Sequence, residues 1–147
     1  MLRRLFGIGS NPQPGPRQPE PRLPPREAVD RALRRLEGDP EGFEIFVIGP
    51  SDRNRFVQVT RGAPDTLLGE AVGNGFLKGS AKLDVVALQT LAELGWTVVD
   101  EEHGNHTRSW ADWTGVHRAR VVEDIMATLV LAFEMAPDGP LAITNNT

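Results

Sequence analysis

The sequence predicts an α+β domain in which helices pack against a five-stranded antiparallel sheet, in the element order αβββαββα. Three observations lead there. Three β-rich runs follow one another across short turns. Apolar residues at helical spacing flank those runs, without the regular βα alternation of a doubly wound parallel sheet. The length of 147 residues suits one domain with a proper core.

The elements follow in order. Residues 26–37 carry Val29, Leu33 and Leu36 at helical spacing, with Ala28 and Ala32 beside them, and Gly38-Asp39-Pro40 stops the pattern. Residues 42–49 (GFEIFVIG) read as a first strand, 55–61 as a second and 66–73 as a third. Turn-forming residues separate them at 51–54 and 62–65. Residues 82–94 return to helical period through Leu83, Ala87, Leu88, Leu91 and Leu94, with Gly95 as the stop. Residues 96–100 (WTVVD) are the expected fourth strand and 105–113 the fifth. The longest helix is placed at 116–135, with Val122, Ile125, Met126, Leu129 and Phe133 as its core stripe.

The domain is expected over residues 26–136. Residues 1–25 precede it as a disordered, basic, proline-rich tail, since 10–25 hold seven of the twelve prolines. Residues 137–147 are expected to fray. The first nine residues lack the apolar stretch of a signal peptide, and no apolar run approaches the roughly 20 residues of a membrane span.

Charge is divided unevenly. Residues 1–35 hold eight Arg against three acidic residues, a net of +5. Residues 36–147 hold eight Lys and Arg against seventeen acidic residues, a net of −9, and the two sum to −4. An acidic domain disfavours nucleic acid, which needs a basic face. With no cysteine, disulfides, thiolate metal sites and thiol catalysis are excluded, and a cytoplasmic location is favoured.

Little in the sequence carries chemistry. His103 and His106 lie near Asp100, Glu101, Glu102 and Asp112, but without a recognised ligand spacing, so no metal is expected. No nucleophile elbow occurs, and Ser51, Ser80 and Ser109 have no linked base. Gly73-Asn74-Gly75 lacks the pattern of a phosphate loop and reads as a turn tolerant of positive φ. No catalytic residue and no cofactor are expected.

Interaction surface is the stronger signal. In the first strand Phe43, Ile45 and Val47 share one side while Phe46 and Ile48 share the other. In the last helix Val121, Val130, Leu131 and Ala132 fall off the core stripe. A sheet covered on one face cannot bury both sets, so Phe46 and Ile48 are expected to meet a partner. Trp110 shares a strand face with His106, Arg108 and Asp112, which makes Arg108 and Trp110 the further candidate partner contacts.

These residues also resemble a known family. Phe56-Val57-Gln58, Glu70 through Asn74, Phe76-Leu77, Leu94-Gly95-Trp96, Asn105-His106-x-Arg108 and the long apolar helix after them are similar to the TY-Chap group. These are bacterial domains akin to YbjN-like proteins and type III secretion chaperones. The resemblance implies a secretion-chaperone-like fold and a protein-binding module, often dimeric, without chemistry of its own. The functional expectation is a non-enzymatic module that holds a protein client or forms a homodimer through apolar sheet and helix surface. The competing expectation is a small-molecule-binding or regulatory domain with a pocket around His106, Arg108 and Trp110.

Overall fold

The computed structural model describes residues 23–39, 44–51, 54–62, 65–99 and 104–146. The expected tail lies outside the described residues up to position 22, as do Phe43 and His103.

Helix α1 spans Pro25–Glu37. Proline at its first position costs no hydrogen bond there, and Arg34 and Arg35 sit at the negative end of the helix dipole. Val29, Ala32, Leu33 and Leu36 repeat at i, i+3, i+4 and i+7 and are all buried.

Strands β1 (Ile45–Pro50), β2 (Val57–Arg61) and β3 (Thr66–Ala71) form the expected meander. Helix α2 covers Val85–Glu93, where the Asp84 carboxylate accepts from the Ala87 amide at 2.8 Å as an N-cap. Strand β4 is His106–Ala111 and helix α3 begins at Arg118 and runs to Ala127. A final strand, β5, covers Leu141–Asn145. The sheet has five strands, all antiparallel, in the order β4-β3-β2-β1-β5. The α+β class and the strand number are those the sequence predicts.

The identity of one strand differs. Residues 96–100 supply only a single bridge, Thr97 to Thr107. Trp96 is instead drawn into the core, where its indole nitrogen donates to the Thr128 hydroxyl at 2.9 Å. The fifth strand comes from residues expected to fray. Leu141 and Ile143 are apolar at the period of a strand, and β1 gives them a partner with Ile48 opposite Ile143 and Pro50 opposite Leu141.

The faces of β1 are also the reverse of the expectation. Phe46 is opposite Val59 and Ile48 opposite Val57, so these four share the helix-covered face and are buried. Ile45 and Val47 face the other way, beside Thr60 and Gln58. The neighbouring strand decides this. Both faces of β1 are apolar, but β2 alternates Val57, Val59 with Gln58, Thr60, and register ties the two strands together.

Helix α3 changes pitch after Ala127 and continues as a π-helical segment over Thr128–Ala132. The Thr128 hydroxyl donates to the Asp124 carbonyl at 2.9 Å while accepting from Trp96. A side chain that bonds the turn behind it in this way disturbs the regular ladder. The wider turn also buries Ala132, and Val121 is buried within α3, leaving Leu131 as the exposed residue of the off-stripe set. Helices α1 and α3 are joined at the surface by Arg26 to Glu123 at 2.7 Å and by Arg118 to Asp30 and Glu37 at 2.7 and 3.2 Å. No helix among the described residues is long and apolar enough to cross a membrane.

Candidate peptide-binding groove

Of the four residues singled out as partner contacts, Phe46, Ile48 and Trp110 are buried and Arg108 is partly buried. Phe46 is 6% exposed and Ile48 0%, so neither forms a free apolar face, although Phe46 borders the groove between α1 and β5. Trp110 is 4% exposed. Its face of β4, with His106 and Arg108, points towards the helices rather than to solvent. The Asp124 carboxylate on α3 accepts from the Trp110 indole at 3.0 Å and from Arg108 at 2.9 Å. Arg108 also donates to the Leu94 carbonyl and lies over the Trp110 ring at 4.8 Å. Trp96 meets Trp110 edge to face with centroids 5.9 Å apart.

His106 belongs to the same interior. Its Nδ1 accepts from the Val99 amide at 3.1 Å, which places the ring hydrogen on Nε2. Burial lowers its pKa and keeps the ring neutral. The small-molecule pocket expected around His106, Arg108 and Trp110 is therefore filled by the protein's own side chains. Among the described residues no cluster of three metal-ligating side chains occurs.

Gly73-Asn74-Gly75 forms a single turn of 3-10 helix beginning at Asn74, with Gly73 at an ordinary negative φ of −98°. Glycine is required at 73 by space: a Cβ there would stand 2.1 Å from the Gly104 carbonyl oxygen. Asn74 is buried and clamps Leu83 with two bonds, of 2.6 and 2.9 Å.

The open surface lies at the other end of the sheet. Between α1 and β5 runs an apolar groove in two continuous parts. One part, of about 440 Å³, is bounded by Ala28, Ala32 and Arg35 of α1, by Phe46 and by Ile143. The other, of about 890 Å³, lies between Pro24, Pro25 and Ala28 on one side and residues 138–143 on the other. Leu23 and Ala28 line both. Arg35 stands at the rim, held by Glu44 at 2.9 Å and stacked 5.9 Å from the Phe46 ring. Arg31, on the same wall, is exposed.

Among the described residues, the backbone beside this groove has an edge without a partner strand. The Asn146 amide donates to the Ile45 carbonyl at 2.8 Å, and the Ser51 amide to the Pro140 carbonyl at 3.1 Å. Antiparallel pairing alternates, so residues 142 and 144 aim their backbone groups at β1 while Leu141 and Ile143 aim theirs outward. The side chains of Leu141 and Ile143 point to the helix side, into the groove. The outward N–H and C=O groups of two residues thus lie along the groove's floor. The opposite edge of the sheet is capped at one point, where Thr97 and Thr107 exchange both backbone bonds, at 2.7 and 3.1 Å.

A strand edge with unpaired backbone groups, set beside an apolar channel under a helix, gives this α+β domain the features of a chaperone-like module. A family model confirms the class and makes it specific. It matches residues 26–141, and the chain belongs to that family, TY-Chap3, described as T3SS (YopN, CesT) and YbjN peptide-binding chaperone 3. No curated protein and no solved structure matches the chain.

The groove could have been suspected from sequence through one signal. In Leu141-Ala142-Ile143-Thr144 the two large apolar residues stand two apart, the period of a half-buried strand. The proline and glycine before it, and its place near the chain end, masked that signal.

Proposed function

We propose that this protein is a non-enzymatic, chaperone-like module of the cytoplasm that holds an extended segment of a client protein in the groove between α1 and β5. The observation that carries the reading is the outward-facing backbone of Leu141 and Ile143 alongside an apolar channel. A client strand would add to the sheet there, its main chain bonding to β5. Alternate client side chains would enter the channel, with Ala28, Ala32 and Phe46 as neighbours. The small alanines of α1 leave the width that a guest side chain needs. The family's printed description as peptide-binding supports the same reading. A client is favoured over a homodimer built on Phe46 and Ile48, because those two side chains are already buried within one chain.

The test is fluorescence anisotropy with a labelled peptide of four Val-Ser repeats, which is extended and carries apolar side chains at period two. It is expected to bind the wild-type chain. Ala28→Arg, which fills the channel from the helix side, is expected to weaken binding at least about tenfold, a loss of about 1.4 kcal/mol. Ser109→Arg, on the solvent side of β4, is expected to leave binding unchanged. Equal binding by both variants would remove the groove from the account.

A further inference from the structure

We propose that the groove between α1 and β5 is a site for the protein's own first residues, with Phe6 and Ile8 lying in it as an internal competitor of the client. The inference rests on the groove assigned above.

The position of the chain is the first argument. Leu23 lines both parts of the groove, so the polypeptide that precedes it starts out from the groove itself. Composition is the second. The apolar residues that precede the domain are concentrated at the start, in Leu2, Leu5, Phe6 and Ile8, and a proline-rich stretch separates them from Leu23. Phe6 and Ile8 stand two apart, the period of a strand, so both can enter the channel from one side of an added strand.

Reach is the third. Ile8 and Leu23 stand fifteen positions apart. A polyproline spacer of that length spans about 46 Å at about 3.1 Å per residue, and a flexible one about 21 Å on average. Strand β5, five residues long, measures about 17 Å at about 3.4 Å per residue. The spacer can therefore double back and lay the segment along β5. A tether of this kind gives an effective concentration in the millimolar range, so even a weak contact would be well populated.

Charge is the fourth. Residues 1–22 hold four Arg and one Glu, a net of +3, against a net of −7 over residues 23–147. Asp138 stands at the mouth of the groove. Arg35 on the groove wall is already neutralised by Glu44, which leaves Arg31 as the opposing charge on that wall. Bound in this way, the segment would shield the open edge of β5 until a client displaces it.

The chain has no cysteine, which makes a single label straightforward. Ser10→Cys carrying a nitroxide, in the full-length chain, is expected to broaden the amide signals of Ala28, Ile143 and Thr144. The double substitution Phe6→Asp with Ile8→Asp is expected to restore them. Without the label, that double variant should bind the Val-Ser peptide about tenfold more tightly than the wild type, as it would if the segment occupies the groove about nine-tenths of the time. Broadening elsewhere, or none, together with equal peptide affinity in both chains, would overturn the inference and leave the client groove standing. Should the peptide bind neither chain, the client reading fails, and the nitroxide result alone then decides the internal contact.

Discussion

Gly69 shows how one residue sets the interior. It lies opposite Arg108 in the β3–β4 register, and a Cβ there would stand 2.7 Å from the Trp110 ring. Two indoles pack where β3 has no side chain. Gly69→Ala is expected to cost about 1–3 kcal/mol by overpacking, read as a lower midpoint in urea unfolding. Asp124 is the matching polar group, accepting from both Trp110 and Arg108. Asp124→Ala strands both donors and is expected to cost about 1–3 kcal/mol. His106 adds a pH dependence. Burial lowers its pKa in the folded state, whereas the unfolded chain takes up a proton near the ordinary value of 6.5. Above that pH the group is neutral in both states. As pH falls below it, the unfolded state gains the proton and stability declines, by at most about 1.4 kcal/mol per pH unit. Thermal unfolding between pH 7.5 and 5 should show the decline, and His106→Asn, whose Oδ1 can still accept from Val99, should flatten it. At this scale the sequence read Gly95 as the stop of the second helix, and the structure agrees. The sequence misplaced Trp110 and Arg108, because a strand face of His, Arg and Trp looks polar until Asp124 of a distant helix supplies its partner.

The elements were legible where period and punctuation agreed. Helix α1 has both an apolar stripe and a glycine stop, and α2 has an Asp84 cap and a left-handed Gly95 at φ 97°. The meander β1–β3 was visible in its turns. What local pattern could not choose was which apolar face of β1 goes inward, because that is decided by β2 across the register. Nor could it choose between residues 96–100 and 141–145 as the fifth strand. The first run is the richer in β-branched residues, yet Trp96 is held by Thr128 and cannot leave the core to extend pairing with β4. Thr128→Val removes the acceptor of a buried indole N–H and is expected to cost about 1–3 kcal/mol. It should also let the last turns of α3 recover regular pitch, visible in the carbonyl chemical shifts of residues 124–132.

For the whole molecule, the sheet has a helix-covered face, one edge bridged by Thr97 at a single residue and, among the described residues, one edge at β5 without a partner strand. The sequence pointed to a protein-binding module, and family membership agrees with that class. Of the surface it named for the task, Ile48 and Trp110 are interior, Arg108 is partly buried in its pair with Asp124, and Phe46 is 6% exposed at the groove wall. The groove was hidden because it is assembled from residues more than a hundred positions apart, Ala28 and Ile143, and no local pattern reports such a meeting. The central claim is that a client strand adds to β5, and amide hydrogen exchange tests it directly with the Val-Ser peptide bound and absent. The account predicts that the peptide slows exchange at Leu141 and Ile143, whose amides point outward, and leaves Thr107 and Ser109 on β4 unchanged. Protection confined to β4, or unaltered exchange at Leu141 and Ile143 under saturating peptide, would contradict it.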